Sequence, residues 1–98
     1  MMFGLDEKTI KRLVAVLKES KAVKRAVIFG SRARGDHKYN SDIDIALYAD
    51  GQPKADLFLD IDDAAGIYKT NIIIMDHTLD EKLRRNIERD GVEIFMQN

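Results

Sequence analysis

The fold and the chemistry of this chain are best read from residues 30–44, GSRARGDHKYNSDID. This stretch opens with Gly30 and Ser31 and closes with Asp42 and Asp44, with ten residues between Ser31 and Asp42. A Gly-Ser pair by itself usually marks only a turn. With average residue usage, however, the full spaced pattern arises by chance in roughly one chain of this length per thousand. The combination therefore indicates a functional motif.

The aspartate pair starts a segment that alternates between polar and apolar side chains, residues 42–48 (DIDIALY). This period of two predicts a strand on which Asp42 and Asp44 share one face, with Cα atoms roughly 6.5 to 7 Å apart. Such a pair is often only a solvated face. Mg²⁺ prefers oxygen ligands, however, and two ions about 3.5 to 4 Å apart can assist an in-line phosphoryl displacement. We therefore expect Asp42 and Asp44 to be metal ligands and catalytic residues.

The start of the motif has the features of a phosphate-binding turn. Gly30 follows an apolar run, residues 26–29 (AVIF), and lets the backbone approach a ligand closely. The backbone amides that follow and the Ser31 hydroxyl can donate to phosphate oxygens, while Arg32 and Arg34 add cationic donors. We expect all four residues to bind the phosphates of a nucleotide.

Hydrophobic periodicity outside the motif predicts three long helices and four strands. The helices are expected at Asp6 to Ser20, Ala55 to Tyr68 and Leu79 to Arg89, and the strands at Ala26 to Phe29, Asp42 to Tyr48, Ile72 to Met75 and Val92 to Met96. Residues 30–41 are expected to form a loop. This order predicts an α/β (α+β) domain with a small sheet, helices mainly on one face, and the aspartates facing outward.

Composition bounds the class of protein. Of 98 residues, 45% are apolar and 34% charged, which predicts one soluble domain over residues 1–98. The 16 basic and 17 acidic residues give a net charge of -1, which argues against direct binding to nucleic acid. There is no cysteine for disulfides or zinc, and no segment resembles a signal peptide or a membrane span. We expect a cytoplasmic location and no membrane partner, with the oligomeric state left open.

The motif carries a resemblance to a known family. GSRARG followed by SDIDIAL resembles the nucleotidyltransferases of the DNA polymerase β superfamily, and the short length resembles its minimal (MNT) branch. The resemblance implies a mixed sheet flanked by helices, ATP or another NTP as donor, two Mg²⁺ ions, and transfer of a nucleoside monophosphate with release of pyrophosphate. It also implies a HEPN partner protein, since minimal members are commonly antitoxins encoded beside HEPN toxins, and some adenylylate the toxin.

One position departs from the family pattern. Active members carry a third carboxylate on a later strand, and the matching position here is Asn71, whose amide oxygen can bind a metal but cannot supply charge or accept a proton. Asp76 is the alternative, but it falls on the opposite face of the predicted strand. Two hypotheses follow: a Mg²⁺-dependent enzyme that modifies a macromolecule, and a nucleotide-binding antitoxin with weak or no turnover.

Overall fold

The structure of the chain, a computed structural model, describes residues 2–97. Within them lie α1 (Glu7–Glu19), β1 (Val23–Phe29), α2 (Gly30–Arg34), β2 (Ile43–Ala49), α3 (Ala55–Ala64), β3 (Thr70–Ile74), α4 (Glu81–Asp90) and β4 (Val92–Met96). The strands form one mixed sheet in the order β3-β2-β1-β4. Strand β1 is antiparallel to both β2 and β4, whereas β2 and β3 are parallel and connected through α3. The predicted fold class is confirmed.

Two long helices, α1 and α3, cover one face of the sheet. Helix α1 begins at its N-cap Asp6, whose carboxylate accepts a hydrogen bond of 2.8 Å from the Thr9 backbone N–H. Leu13 of α1 and Ile61 of α3 are buried in the same apolar cluster as Ile45 of β2. None of the helices within residues 2–97 combines the length and the apolar character needed to cross a membrane.

The third long helix, α4, lies on the opposite face. Its Ile87 is buried with Val27, Phe29 and Ala46, which alternate along β1 and β2 with the side chains that face α1 and α3. The predicted placement of helices on one face therefore holds for α1 and α3 only. The centre of the sheet is apolar on both faces, so α4 is needed to shield the second face from water.

The sequence predicts a loop over residues 30–41, between β1 and β2, but the structure shows that only part of this segment is a loop. Residues 30–34 form the short helix α2, which ends at Gly35 in the left-handed region (φ 90°), where the Gly35 N–H donates to the Ser31 carbonyl at 2.9 Å. A five-residue helix contains too few residues for an apolar period to show. Helix α3, in turn, ends at Ala64, earlier than predicted, shortly before Gly66 at φ 66°.

Candidate active site

The parallel pairing of β2 and β3 brings three predicted site residues together. Asp44 lies opposite Asn71 in the register, and the Asn71 amide Nδ2 donates to Asp44 Oδ1 at 3.3 Å. Asp42, one residue before β2, is near enough for its charge to raise the pKa of Asp44. The two carboxylates and the amide therefore form one polar cluster, called the Asp42–Asp44–Asn71 cluster below.

Asp44 is the electrostatic centre of this cluster. Its half-buried carboxyl has a pKa raised above the ordinary value, chiefly because burial removes water from the charged form. The negative charge of Asp42 acts in the same direction, whereas the Asn71 hydrogen bond and the positive charges of Arg34 and Arg32 oppose it. The ionised site thus carries excess negative charge in a partly dehydrated place, an environment that favours a bound cation.

The raised pKa of Asp44 predicts how stability depends on pH. In the folded state Asp44 binds a proton at a higher pH than in the unfolded chain, so its ionisation lowers the free energy of unfolding as pH rises through the folded pKa. We expect Asp44→Asn to remove this contribution and to stabilise the metal-free protein at neutral pH.

Thermal melts of both proteins without metal, between about pH 4 and pH 7, measure the difference in Tm. The Tm of Asp44→Asn should exceed that of the wild-type chain by an amount that grows as pH rises. A difference that shrinks as pH rises would contradict the raised pKa.

Gly30 lies directly against the cluster. It is the first residue of α2 and adopts φ 73°. A Cβ at this position would collide with Asp44 Oδ2. The sequence suggested that glycine is needed here for the approach of a ligand, and the structure adds that Asp44 occupies the same space. Ser31, the next residue, is partly exposed at the start of α2.

We expect Gly30→Ala to impair both stability and the site. The left-handed backbone costs about 1–2 kcal/mol for a residue with a Cβ, and the added methyl displaces the carboxylate of Asp44. Gly51→Ala is the matched control, since Gly51 has φ 86° and nothing within 4 Å of a Cβ. Calorimetry with Mg²⁺ and ATP should show lost affinity for Gly30→Ala alone. Equal affinity for the two variants would mean that displacing Asp44 has no consequence.

The two arginines of the motif have different surroundings. Arg34 is exposed, pairs with Asp36 at 3.3 Å, and is near enough for its charge to lower the pKa of Asp44. Arg32 is only 2% exposed, and its guanidinium donates to backbone carbonyls. The charges of both arginines therefore reach Asp44, but Arg32, which the sequence also predicts to bind the nucleotide, directs its guanidinium to backbone carbonyls.

Asp76, the alternative third carboxylate, lies outside β3. Its carboxylate accepts hydrogen bonds from the backbone N–H and the hydroxyl of Thr78 at 2.9 and 2.6 Å, and these bonds lower its pKa. The register of β3 thus favours Asn71 over Asp76 as the neighbour of Asp44. Among residues 2–97 no group of three or more His, Cys, Asp or Glu side chains is arranged to hold a metal. Opposite Asp44, where the family resemblance leads us to expect a third carboxylate, this chain carries the neutral amide of Asn71.

The donor set of the cluster suits a hard divalent cation. Asp42 is exposed and Asn71 is exposed, so both can reach a ligand from solvent. Asn71 donates to Asp44 from Nδ2, so its Oδ1 takes no part in that hydrogen bond and keeps its capacity as an acceptor. Two carboxylates and an amide oxygen are ligands that Mg²⁺ accepts together with water and phosphate oxygens.

Comparison with known proteins places this geometry in context. Over 47 residues the chain is 45% identical to a protein of Methanocaldococcus jannaschii provisionally named protein adenylyltransferase MJ0604. The alignment covers 46% of this chain and 47% of that relative, so the match spans about half the length of each.

Solved structures give a longer match. One is a toxin–antitoxin complex with AMP-PNP, with a TM-score of 0.71 and 20% identity, covering 96% of this chain and 76% of that chain. Another is a tri-AMPylated Shewanella oneidensis HEPN toxin in complex with an MNT antitoxin, with a TM-score of 0.67 and 15% identity, covering 91% and 71%. At these identities the likeness is one of fold.

The sequence pattern of a whole family also matches. The family described as Polymerase beta, Nucleotidyltransferase covers residues 11–98, a range that includes the motif, the Asp42–Asp44–Asn71 cluster and all four strands. Because this match extends over most of the sequence, the chain belongs to the polymerase beta nucleotidyltransferase family.

Proposed function

We propose that this chain is a Mg²⁺-dependent nucleotidyltransferase that transfers AMP from ATP to a hydroxyl of a separate protein. The observation that carries the proposal is the position of Asp42 and Asp44 at the start of β2, where Asp44 lies directly against Gly30, the first residue of α2. In this proposal the two carboxylates bind metal ions, and the adjoining Ser31 hydroxyl and backbone amides of α2 bind phosphate. A family of nucleotidyltransferases supplies the reaction class.

In the proposed reaction, different residues bind the phosphates and the metal ions. Ser31 and the neighbouring backbone amides donate to phosphate oxygens, and Arg34 adds positive charge beside them. The acceptor oxygen forms a bond to the α-phosphorus while the bond from that phosphorus to the bridging oxygen breaks, and pyrophosphate leaves. Mg²⁺, when bound by Asp42 and Asp44, supplies charge neutralisation for the phosphates. The hydroxyl proton goes to water or an aspartate, because the Asn71 amide cannot accept it.

The acceptor in this proposal is a HEPN-type toxin, which gives the chain an antitoxin role. Supporting this choice, structures with the same fold include an MNT antitoxin in complex with an AMPylated HEPN toxin. The alignment with the M. jannaschii relative, whose name describes protein adenylylation, points to the same transfer chemistry. Asp42 and Asn71 are exposed, so a hydroxyl of another molecule can reach the site.

A second function, that of a nucleotide-binding antitoxin without turnover, is favoured by one observation. Asn71 replaces the third carboxylate and donates a hydrogen bond to Asp44, where an aspartate would instead add negative charge. Such a site holds fewer charges for metal ions and has lost the proton acceptor. The protein would then neutralise its partner by binding alone.

Intact mass spectrometry separates the two functions. The protein is incubated with Mg²⁺, a HEPN-type partner and each of ATP, GTP, CTP or UTP in turn, and both proteins are weighed. A gain of one AMP unit on the partner with ATP supports the transferase. No gain on either protein with any nucleotide, despite formation of the complex, supports the antitoxin without turnover.

A further inference from the structure

Arg32 is a buried cation held by backbone carbonyls. It is 2% exposed, and its guanidinium donates to Ser41 O at 2.8 and 3.1 Å, to Phe3 O at 2.9 Å and to Tyr39 O at 3.3 Å. The ring of Tyr68 stacks on it, with the guanidinium carbon 4.9 Å from the ring centre. The ion pairs described between residues 2 and 97 do not include Arg32. Because buried charges are usually paired with an opposite charge, this one requires an explanation.

The carbonyls of Tyr39 and Ser41 belong to the segment that carries Asp42. This segment, residues 35–42, runs from the end of α2 to the start of β2 and is turned back on itself by two hydrogen bonds between Lys38 and Ser41, of 2.9 and 3.1 Å. Asp42 lies one residue outside β2, so its backbone is beyond the strand ladder. Arg32 donates two hydrogen bonds to the carbonyl of Ser41, the residue immediately before Asp42.

The carbonyl of Phe3 belongs to a different segment, the turn of residues 2–5. Here the Leu5 N–H donates to Met2 O at 2.9 Å, and the Leu5 side chain is fully buried. Gly4 of this turn lies against the His37 ring, which comes from the segment 35–42. Two independent contacts, through Arg32 and through His37, therefore join the turn to the segment that carries Asp42.

We propose that Arg32 is a positioning residue that fixes Asp42 by binding the carbonyl before it and anchoring the segment 35–42 to the turn 2–5. The metal-binding consequence rests on the proposed function, whereas the ordering of the segment does not. A guanidinium suits this task because its planar donors reach several acceptors at once, which the single ammonium of lysine cannot do.

The experiment compares Arg32→Lys and Arg32→Met with the wild-type chain. Arg12→Met is the matched control, since Arg12 also donates to a backbone carbonyl, that of Ala64 at 3.1 Å, but this bond joins α1 to α3 and does not involve the segment 35–42. Amide hydrogen exchange of residues 36–42 is measured without nucleotide. We expect it to become at least about tenfold faster in both Arg32 variants and to stay unchanged in Arg12→Met.

The second readout is calorimetric binding of ATP with and without Mg²⁺. We expect both Arg32 variants to lose about tenfold or more in affinity with Mg²⁺ and little without it. A direct phosphate ligand would behave differently, because Arg32→Lys would keep the charge and most of the affinity in both conditions. That result, or unchanged exchange at residues 36–42, overturns the proposal.

Two circumstances are covered by this design. Where Arg32→Met does not fold, Arg32→Lys retains the aliphatic stem and the charge and serves as the milder variant. Where the wild-type chain binds no nucleotide under any condition, the proposed function fails. The hydrogen exchange measurement then still decides whether Arg32 orders the segment before Asp42.

Discussion

Asp42→Asn and Asp44→Asn are each expected to reduce AMP transfer by on the order of 10²–10⁴-fold. Each substitution removes one of the two carboxylates that we propose as metal ligands while retaining size and shape. The fold should survive because Asp42 is exposed and half-buried Asp44 points away from the apolar layer of Ile43 and Ile45. Intact mass of the acceptor protein over time, at saturating ATP and Mg²⁺, gives the rate.

The matched control for these two variants is Asp60→Asn. Asp60 is exposed on α3, on the face of the sheet opposite to the Asp42–Asp44–Asn71 cluster, so its charge can be removed without touching the site. Its transfer rate should equal that of the wild-type chain. Full Mg²⁺-dependent transfer by Asp42→Asn or Asp44→Asn would show that the two carboxylates do not form the site.

The placement of these aspartates is the part of the site that could be predicted from sequence. A strand has a period of two, so the alternation in residues 42–48 was enough to put Asp42 and Asp44 on one face and the apolar residues on the other. The same period of two favours Asn71 over Asp76, and in the structure Asn71 lies opposite Asp44. The first inference depends on local pattern alone, whereas the choice of Asn71 also depends on the family resemblance, which implies a third ligand on a later strand.

The surroundings of Arg32 could not be predicted in this way. One of its acceptors, the Phe3 carbonyl, is 29 residues away in sequence. Every residue has a backbone carbonyl, so the residue type at position 3 does not indicate that it accepts a hydrogen bond from Arg32. Arg32 and Arg34 are equivalent as sequence, yet the first is buried and the second exposed. The placement of α4 was missed for a related reason, because the periodicity of a helix gives its buried face but not the face of the sheet that it covers.

Asn71→Asp is expected to raise the rate of AMP transfer by roughly 10- to 100-fold, equivalent to about 1.4 to 2.7 kcal/mol of barrier. The substitution replaces the Nδ2 group that now donates to Asp44 Oδ1 by a third anionic oxygen at the same place in the register. This adds charge for a metal ion and a group able to accept the proton of the attacking hydroxyl. The rate is measured by acceptor mass, as for the aspartate variants.

The same substitution should change stability in a way that depends on metal. Without Mg²⁺, a carboxylate beside Asp44 and Asp42 adds repulsion and raises the already elevated pKa of Asp44 further, so Tm should fall. Mg²⁺ binds only the folded site and should restore or exceed the wild-type Tm as its concentration rises. Gln52→Glu is the control, since it makes the same amide-to-carboxylate change at an exposed position in the loop before α3.

The combination of the two readouts decides what Asn71 does in this chain. A gain in rate together with Mg²⁺-dependent stabilisation, absent from Gln52→Glu, means that the wild-type amide limits turnover and that the proposed antitoxin role depends largely on binding. Stabilisation by Mg²⁺ without a gain in rate places Asn71 at the metal site but assigns the proton to another acceptor. If neither changes, Asn71 does not contribute to the site in solution, and Asp76 becomes the next position to substitute, even though its carboxylate is engaged by Thr78.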